Sequence, residues 1–123
     1  MKRAPLITIA ITCFNAENTI ERAICSALNQ DWPNFEIIIL DDASKDASKE
    51  IINRYKSKIK NLYFINQKIN NGCAKSRNTI ISKAKGEFIA FFDDDDFSRS
   101  DRLSLQFDHL IRYEKFLSTK FIA

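Results

Sequence analysis

The sequence contains little glycine, proline, histidine or cysteine, and each scarcity excludes a class of protein or site. Its 123 residues include two glycines, two prolines, one histidine and three cysteines. Cys13, Cys25 and Cys73 form no C-x-x-C pair, so we expect neither a zinc site nor a disulfide framework. Free thiols are typical of a reducing compartment and favour a cytoplasmic location. The net charge of only +3 gives no reason to expect nucleic acid as a partner.

The two glycines, Gly72 and Gly86, are too few for the phosphate-binding loops of common nucleotide-binding folds. The first predicted strand is not followed by G-x-G-x-x-G, and the pattern G-x-x-x-x-G-K-S/T is also missing. A dinucleotide-dependent oxidoreductase and a P-loop NTPase are therefore both disfavoured. If a nucleotide binds, a metal ion must neutralise its phosphates.

Long hydrophobic runs are missing as well. The apolar run after the basic residues 1–5 is short, contains Thr8 and Thr12 and lacks a small-residue cleavage site, so we interpret it as a strand rather than a signal peptide. No stretch is long enough to span a bilayer. Hydrophobic residues make up 45% of the chain and charged residues 28%, ordinary values for a soluble globular protein. We therefore expect residues 1–123 to form a single domain with one core.

Short apolar runs alternate with amphipathic stretches along the chain. The predicted strands are residues 6–13, 35–40, 62–65 and 87–92. The predicted helices are residues 16–29, a stretch around Ile51, Ile52 and Tyr55, and residues 73–85 and 100–113. This alternation predicts the α/β class, as a three-layer αβα sandwich around a mainly parallel sheet.

Several details of the helices are also predicted. Asn15 or Asn18 is expected to cap the first helix, and Gly86 to cap the end of the third. Residues 116–123 are expected to begin another strand, whose incomplete pairing would leave an exposed sheet edge. The third helix is expected to turn four apolar residues inward, namely Ala74, Ile80, Ile81 and Ala84.

Four consecutive aspartates, residues 93–96, follow a buried strand. Two like charges about 4 Å apart repel by roughly 1 to 4 kcal/mol, depending on solvent screening. A fold tolerates this repulsion if the acids point into solvent, if some are protonated, or if a cation neutralises them. Mg²⁺ and Mn²⁺ prefer carboxylate oxygens and often share them with a diphosphate, so one hypothesis is a metal ion held against a nucleotide diphosphate. The alternative is a solvated acidic turn that caps the next helix.

Polar clusters follow three of the four predicted strands. Phe14 and Asn15 come after the first strand, Asp41 and Asp42 after the second, and residues 93–96 after the fourth. Taken singly, Phe14 could be a core residue, Asn15 a helix cap and the aspartates ordinary loop acids. Ligands of open parallel sheets bind beyond the carboxyl ends of the strands. Three clusters on one sheet edge therefore predict a ligand site there.

In several segments the sequence resembles the opening of family-two glycosyltransferases. The similar segments occur in the family's order over nearly the whole chain, and they are residues 7–15, 26–30, 35–44, 71–72, 76–78, 86–96 and 101–103. The resemblance implies the Rossmann-like, nucleotide-sugar-binding half of a GT-A fold, a nucleotide-diphospho-sugar donor and a Mg²⁺ or Mn²⁺ ion. It also implies transfer of the sugar, with a UDP-sugar as the expected donor, to a glycan or lipid-linked acceptor in cell-surface polysaccharide or glycan synthesis.

The resemblance implies roles for residues around the nucleotide. Phe14 would stack on the base, and the backbone from Thr12 to Asn15 would form the edge of the pocket. Asp42 would accept a hydrogen bond from the base or the ribose. Arg77 would line the nucleotide pocket, and the alternative is that it is a helix residue paired with a loop acid.

The resemblance also implies roles for the aspartates. Asp93 and Asp95 match the two acids of the DXD element, and Asp95 would be the direct metal ligand. Asp94 would reach the ribose. Family members continue well beyond this length, and their second half carries the acceptor site and the catalytic base. We therefore expect a fragment of a longer enzyme whose base lies beyond Ala123, because nothing in the spacing supports Asp96 or Asp101 in that role.

Two alternative functions remain from the sequence. The first is a non-catalytic nucleotide-sugar-binding module. The second is a phosphoacceptor receiver-like signalling domain, which would carry acids after its first strand and an acceptor aspartate after its third, where this chain has Phe14-Asn15 and Asn66. The expected location is the cytoplasm, compatible with peripheral association at the inner face of the membrane and with an oligomer.

Overall fold

The computed structural model describes residues 4–121, and the side chains as far as residue 115. Strands and helices alternate along the whole of this range. The elements are β1 (Ile7–Cys13), α1 (Ile20–Leu28), β2 (Phe35–Asp42), α2 (Ser48–Lys56), β3 (Leu62–Gln67), α3 (Cys73–Lys83), β4 (Phe88–Asp93) and α4 (Arg102–Phe121). Within the described residues, no helix combines the length and the apolar composition that a bilayer-spanning segment requires.

The four strands form one parallel sheet in the order β3-β2-β1-β4. This confirms the predicted α/β class with a parallel sheet. In a receiver-like fold the first strand lies between the second and the third. Here β1 lies between β2 and β4, so the sheet order argues against the receiver-like alternative.

The central strands form because their residues are almost all β-branched or apolar, a composition that suits a strand covered on both faces. Ile9, Ile11, Ile37 and Ile39 are fully buried. They form one core cluster with residues of α1, α2 and the start of α4, namely Ile20, Ile24, Ala27, Ile52 and Leu103. On the opposite face a smaller cluster joins the sheet to α3 and comprises Ala10, Ile38, Leu40 and Ile80. The helices thus cover both faces of the sheet and give the predicted three layers.

Strand β4 is less buried than the sequence suggested. Its residues from Phe88 to Phe91 are half-buried, and only Phe92 lies fully inside the core. Among the described residues β4 pairs with β1 alone, so it has one neighbouring strand instead of two. An edge position therefore explains why a strongly apolar run remains partly exposed.

The end of the chain corrects one prediction. Residues 116–121, expected to begin a strand, continue α4 to Phe121, while residues 122–123 lie outside the described part. No glycine or proline occurs after residue 100, so nothing in the sequence stops the helix that begins at Arg102.

Both predicted helix caps are also wrong. Helix α1 begins at Ile20 with Thr19 at its N-cap position, and neither asparagine provides a side-chain cap. Helix α3 ends at Lys83, and Ala84 already has an extended backbone. Gly86 has a different reason to be glycine: a Cβ atom there would lie 2.5 Å from Thr8 Oγ1 and 2.6 Å from Thr8 N. Gly86 therefore allows the chain entering β4 to approach β1 closely.

Candidate functional site

The carboxyl ends of the strands meet around a cleft of about 560 Å³. The strand register creates it, because Thr12 pairs with Asp93 and the next residue, Cys13, pairs with Asp41. Six residues predicted from the sequence line this cleft: Thr12, Phe14, Asp42, Asp93, Asp94 and Asp95. The predicted convergence of three strand ends on one site is therefore present in the fold.

Three of the four consecutive aspartates form a compact group of oxygen ligands. Asp93, Asp95 and Asp96 each offer a carboxylate oxygen, and these atoms lie within 4.8 Å of one another. A tight turn holds them, because Asp93 N donates to Asp96 Oδ2 at 2.9 Å and Asp96 N donates to the Asp93 carbonyl oxygen at 3.1 Å. Asp93 and Asp95 are exposed and Asp96 is half-buried. Oxygen donors at this spacing suit a hard divalent cation such as Mg²⁺ or Mn²⁺.

Two arginines support the aspartate turn from outside the cleft. Arg22 on α1 donates from Nη2 to the Asp95 carbonyl oxygen at 2.9 Å. Arg102, at the start of α4, lies 4.1 Å above the Phe92 ring, and its Nη1 is 3.7 Å from Asp96 Oδ2. These contacts fix the backbone of the turn and offset part of its negative charge.

Arg77 lies beside the aspartate turn on α3. Its Nη2 is 3.6 Å from Asp93 Oδ1, and its guanidinium group lies 5.1 Å from the centre of the Phe91 ring. This ion pair agrees with the alternative given above, in which Arg77 is a helix residue paired with an acid at the end of a strand or in a loop. It is not among the residues that line the cleft, and a contact with a nucleotide stays a prediction.

Asp94 does not belong to this group of three carboxylates. Its Oδ2 accepts a hydrogen bond from Phe14 N at 3.0 Å, which ties the turn to the end of β1. Burial raises the pKa of the Asp94 carboxyl group, the negative charges of Asp95 and Asp93 raise it further, and the Phe14 N–H partly lowers it. The Phe14 side chain is 49% exposed, so it is not a core residue and its ring is open to a ligand.

Asp42 is already engaged within the protein. It is only 4% exposed, and its Oδ1 accepts from Gln67 Nε2 at 2.7 Å and from Asn71 N at 2.9 Å. Its Oδ2 accepts from Gly72 N at 2.9 Å. Gly72 has a φ of +87°, which favours glycine, and it directly precedes α3. Asp42 therefore holds the loop before α3 against the cleft, and its contact with a base or ribose stays a prediction.

Asp41 and Asn15 lie behind the cleft and do not line it. Asp41 is fully buried and accepts from Ser44 N and Ser44 Oγ at 2.9 and 2.6 Å. Ser44 Oγ in turn accepts from Asn15 N at 2.8 Å, and Asn15 Oδ1 accepts from Lys45 N at 2.9 Å. Asn15 thus joins the loop after β1 to the loop after β2.

Four residues that the sequence reasoning did not select also line the cleft: Asn70, Gly72, Cys73 and Ser76. They come from the loop before α3 and from its first turn, whereas the sequence reasoning considered strand ends. The turn signal of residues 70–72 was the cue that could have identified them. Cys73 is exposed and its Sγ lies 3.6 Å from Thr12 Oγ1, whereas burial raises the pKa of the Cys13 thiol to about 12.

No catalytic base can be assigned among the nominated acids. Both Asp101 oxygens accept hydrogen bonds from the Arg99 guanidinium group, at 3.0 and 2.9 Å. Asp96 closes the aspartate turn. Both acids therefore have structural partners.

The amino-acid sequence is similar to those of known glycosyltransferases. The sequence profile of the family described as Glycosyl transferase family 2 matches residues 8–120. A Haemophilus influenzae protein named as an uncharacterized glycosyltransferase is 40% identical over 108 residues, which cover 88% of this chain and 43% of the relative. The Escherichia coli enzyme WfaP, a UDP-Glc:alpha-D-GlcNAc-diphosphoundecaprenol beta-1,3-glucosyltransferase, is 40% identical over 114 residues, which cover 89% of this chain and 43% of WfaP. The chain therefore spans less than half the length of these curated relatives.

The fold is also similar to solved structures of glycosyltransferases. The crystal structure of S. aureus TarS 1–349 in complex with UDP-GlcNAc superposes with a TM-score of 0.78 and 29% identity. The similarity covers 88% of this chain and 32% of that structure. The architecture is thus that of the GT-A glycosyltransferases.

Proposed function

Because the chain belongs to glycosyl transferase family 2, we propose that it binds a nucleotide-diphospho-sugar through a divalent metal ion and supplies the donor site of a glycosyltransferase. The observation that carries this proposal is the group of three carboxylate oxygens within 4.8 Å of one another at the rim of an open cleft. Such a group is electrostatically unfavourable without a cation.

The proposed roles follow the positions of the side chains. Asp95 and Asp93, with Asp96 beside them, would hold the metal ion. The ion would supply positive charge to the leaving diphosphate. The exposed Phe14 ring would stack on the base, and Asp94, whose carboxylate accepts a hydrogen bond from Phe14 N, would accept another from a ribose hydroxyl.

The donor and the biological setting are supported by similar proteins. TarS was crystallised with UDP and with UDP-GlcNAc, which supports a uridine nucleotide as the donor here. WfaP acts on a diphosphoundecaprenol-linked sugar, which supports a lipid-linked acceptor and a role in glycan synthesis. A location at the cytoplasmic face of the membrane stays a prediction. No catalytic base or acceptor site is assigned among the described residues, and a non-catalytic nucleotide-sugar-binding module stays the alternative.

Thermal unfolding tests the proposal directly. We expect Mn²⁺ and UDP to raise the melting temperature together by several degrees, because a ligand at 100 times its Kd stabilises a protein by about 2.7 kcal/mol. EDTA should remove the shift, and Asp95→Ala should abolish it. Asp108→Ala is the matched control, because Asp108 is an exposed aspartate on α4 that pairs with Arg112 outside the cleft.

Equal melting temperatures with and without Mn²⁺ plus UDP would contradict the proposal. The same shift in the Asp95→Ala variant would contradict the metal assignment alone. Release of UDP from a UDP-sugar without an acceptor would show that this chain itself transfers the sugar to water, whereas binding without release is expected of a non-catalytic donor-binding half.

A further inference from the structure

The Ser76 hydroxyl group is buried but has no hydrogen-bond partner. Ser76 is 0% exposed, and among the side chains described for residues 4–115 its Oγ is the buried oxygen or nitrogen atom that lacks a partner. Leaving such a group unsatisfied costs about 1–3 kcal/mol. Other hydroxyl groups on α3 avoid this cost, since Thr79 Oγ1 donates to the Lys75 carbonyl oxygen and Ser82 Oγ to the Thr79 carbonyl oxygen.

The position of Ser76 connects this hydroxyl group to the cleft. Ser76 lines the cleft together with Asp42 and Cys73, and it lies in the first turn of α3, an 11-residue helix. Two other donors on this side, Asn71 N and Gly72 N, are already used by the Asp42 carboxylate. The Ser76 hydroxyl group is therefore a donor that the protein itself leaves available.

Because Ser76 is buried, a ligand would reach it only if a neighbouring side chain moved, and Cys73 lies one helical turn earlier on the same face of α3. Cys73 is exposed, and its Sγ makes only a 3.6 Å contact with Thr12 Oγ1. A thiol is a weak hydrogen-bonding group, so rotating this side chain away costs little. Such a rotation would open the hydroxyl group to a ligand in the cleft.

We propose that Ser76 determines base specificity by donating a hydrogen bond from its hydroxyl group to a ring carbonyl oxygen of the bound nucleotide. Asp42 beside it would accept from the adjacent ring N–H. This inference depends on the proposed function, since it names a hydrogen bond that would recognise the base in the proposed nucleotide site. It favours bases that present an N–H next to a carbonyl, which uracil and guanine do and cytosine and adenine do not.

Substituting Ser76 separates this role from a structural one. In Ser76→Ala the unbound protein loses no hydrogen bond, so its melting temperature should not fall. Its affinity for UDP in the presence of Mn²⁺, measured by isothermal titration calorimetry, should fall about 5- to 20-fold. Ser82→Ala is the matched control, because Ser82 is an exposed serine on the same helix that does not line the cleft. Ser76→Cys, nearly equal in size, provides a second variant if alanine destabilises the chain.

Modified nucleotides identify the atom that Ser76 contacts. In 4-thio-UDP and 2-thio-UDP one carbonyl oxygen is replaced by sulfur, a weaker acceptor, so one of the two should bind less well to the unaltered protein. Ser76→Ala should bind that analogue as well as it binds UDP. If GDP binds more tightly than UDP, the same comparison is made between GDP and 6-thio-GDP.

The outcomes separate the two proposals. If the unaltered protein binds neither UDP nor GDP with Mn²⁺, both the proposed function and this inference are wrong. If it binds a nucleotide and Ser76→Ala binds it equally well, only this inference is overturned. The inference is also overturned if Ser76→Ala and the unaltered protein discriminate against the thio analogues to the same extent.

Discussion

Carboxylate groups have opposite surroundings at the two ends of the parallel sheet. At the amino ends of the strands, Glu36 is only 5% exposed, and its Oε2 accepts from Thr8 Oγ1 at 2.6 Å and from Lys85 N at 2.8 Å. At the carboxyl ends, Asp93 and Asp95 are exposed, and their oxygens crowd within 4.8 Å of each other. A carboxylate with donors in place stabilises a fold, whereas several crowded carboxylates cost stability. The difference supports the proposed ligand site at the carboxyl ends of the strands.

The two glycines differ between the same two ends. Gly86, at the amino end, lies so close to Thr8 that any side chain would collide with it. Gly72, at the carboxyl end, has no atom within 4 Å of where a Cβ would lie, but its φ of +87° is rarely adopted by other residues. One glycine is required for packing and the other for the shape of a loop in the candidate site.

The largest effect should come from the amino end. Glu36→Ala leaves the Thr8 hydroxyl group and the Lys85 N–H without their acceptor, so we expect the free energy of unfolding to fall by about 3 kcal/mol. The affinity of the folded protein for UDP and Mn²⁺ should not change. Urea unfolding and calorimetry measure the two quantities, with the exposed Glu50→Ala on α2 as the control. A loss of affinity without a loss of stability would place Glu36 in the functional site and break the comparison.

A smaller effect is expected in the loop before α3. Gly72→Ala should lower the free energy of unfolding by about 1–2 kcal/mol, because a left-handed φ strains alanine. Since Gly72 N donates to Asp42 in the cleft, the affinity for UDP should fall as well. Gly72→Asn is the control, because asparagine tolerates this backbone conformation better and should recover part of both losses. Unchanged binding in the alanine variant would mean that the loop does not shape the site.

The sequence predicted that polar residues converge at the carboxyl ends of the strands because a single physical pattern determines this. Residues 6–13 and 35–40 are nearly continuous apolar or β-branched runs, which suit buried parallel strands, and parallel strands end on one edge. The polar residues after them must then come together. The role of each residue could not be predicted in the same way, because Asp42 and Asn15 hold neighbouring loops through contacts with residues far along the chain.

Features that depend on which element packs against which could not be read from the sequence. The apolar pattern of α3 predicted that Ala74 and Ile81 face inward. This was wrong, because both are exposed, whereas Ser76 is fully buried. The buried residues of α3 are Ser76 and Ile80, so its buried face is narrower than its apolar residues suggest. Ser76 was therefore not among the residues of α3 predicted to face inward, although the fold buries it at the cleft.

The smallest effect, opposite in sign, should come from the aspartate turn itself. In EDTA at low salt, Asp95→Asn should raise the free energy of unfolding by about 0.5 kcal/mol, because it removes one of the crowded, solvent-screened charges. Arg22 holds Asp95 through its backbone carbonyl oxygen, so that contact survives the substitution. High salt should remove the gain, and Mn²⁺ with UDP should no longer stabilise the variant.

Glu36→Gln is the matched control from the other end of the sheet, where losing a negative charge should lower stability at any salt concentration. If Asp95→Asn also lowers stability in EDTA, this carboxylate contributes to the fold as Glu36 does, and the two ends of the sheet are not the opposites described here.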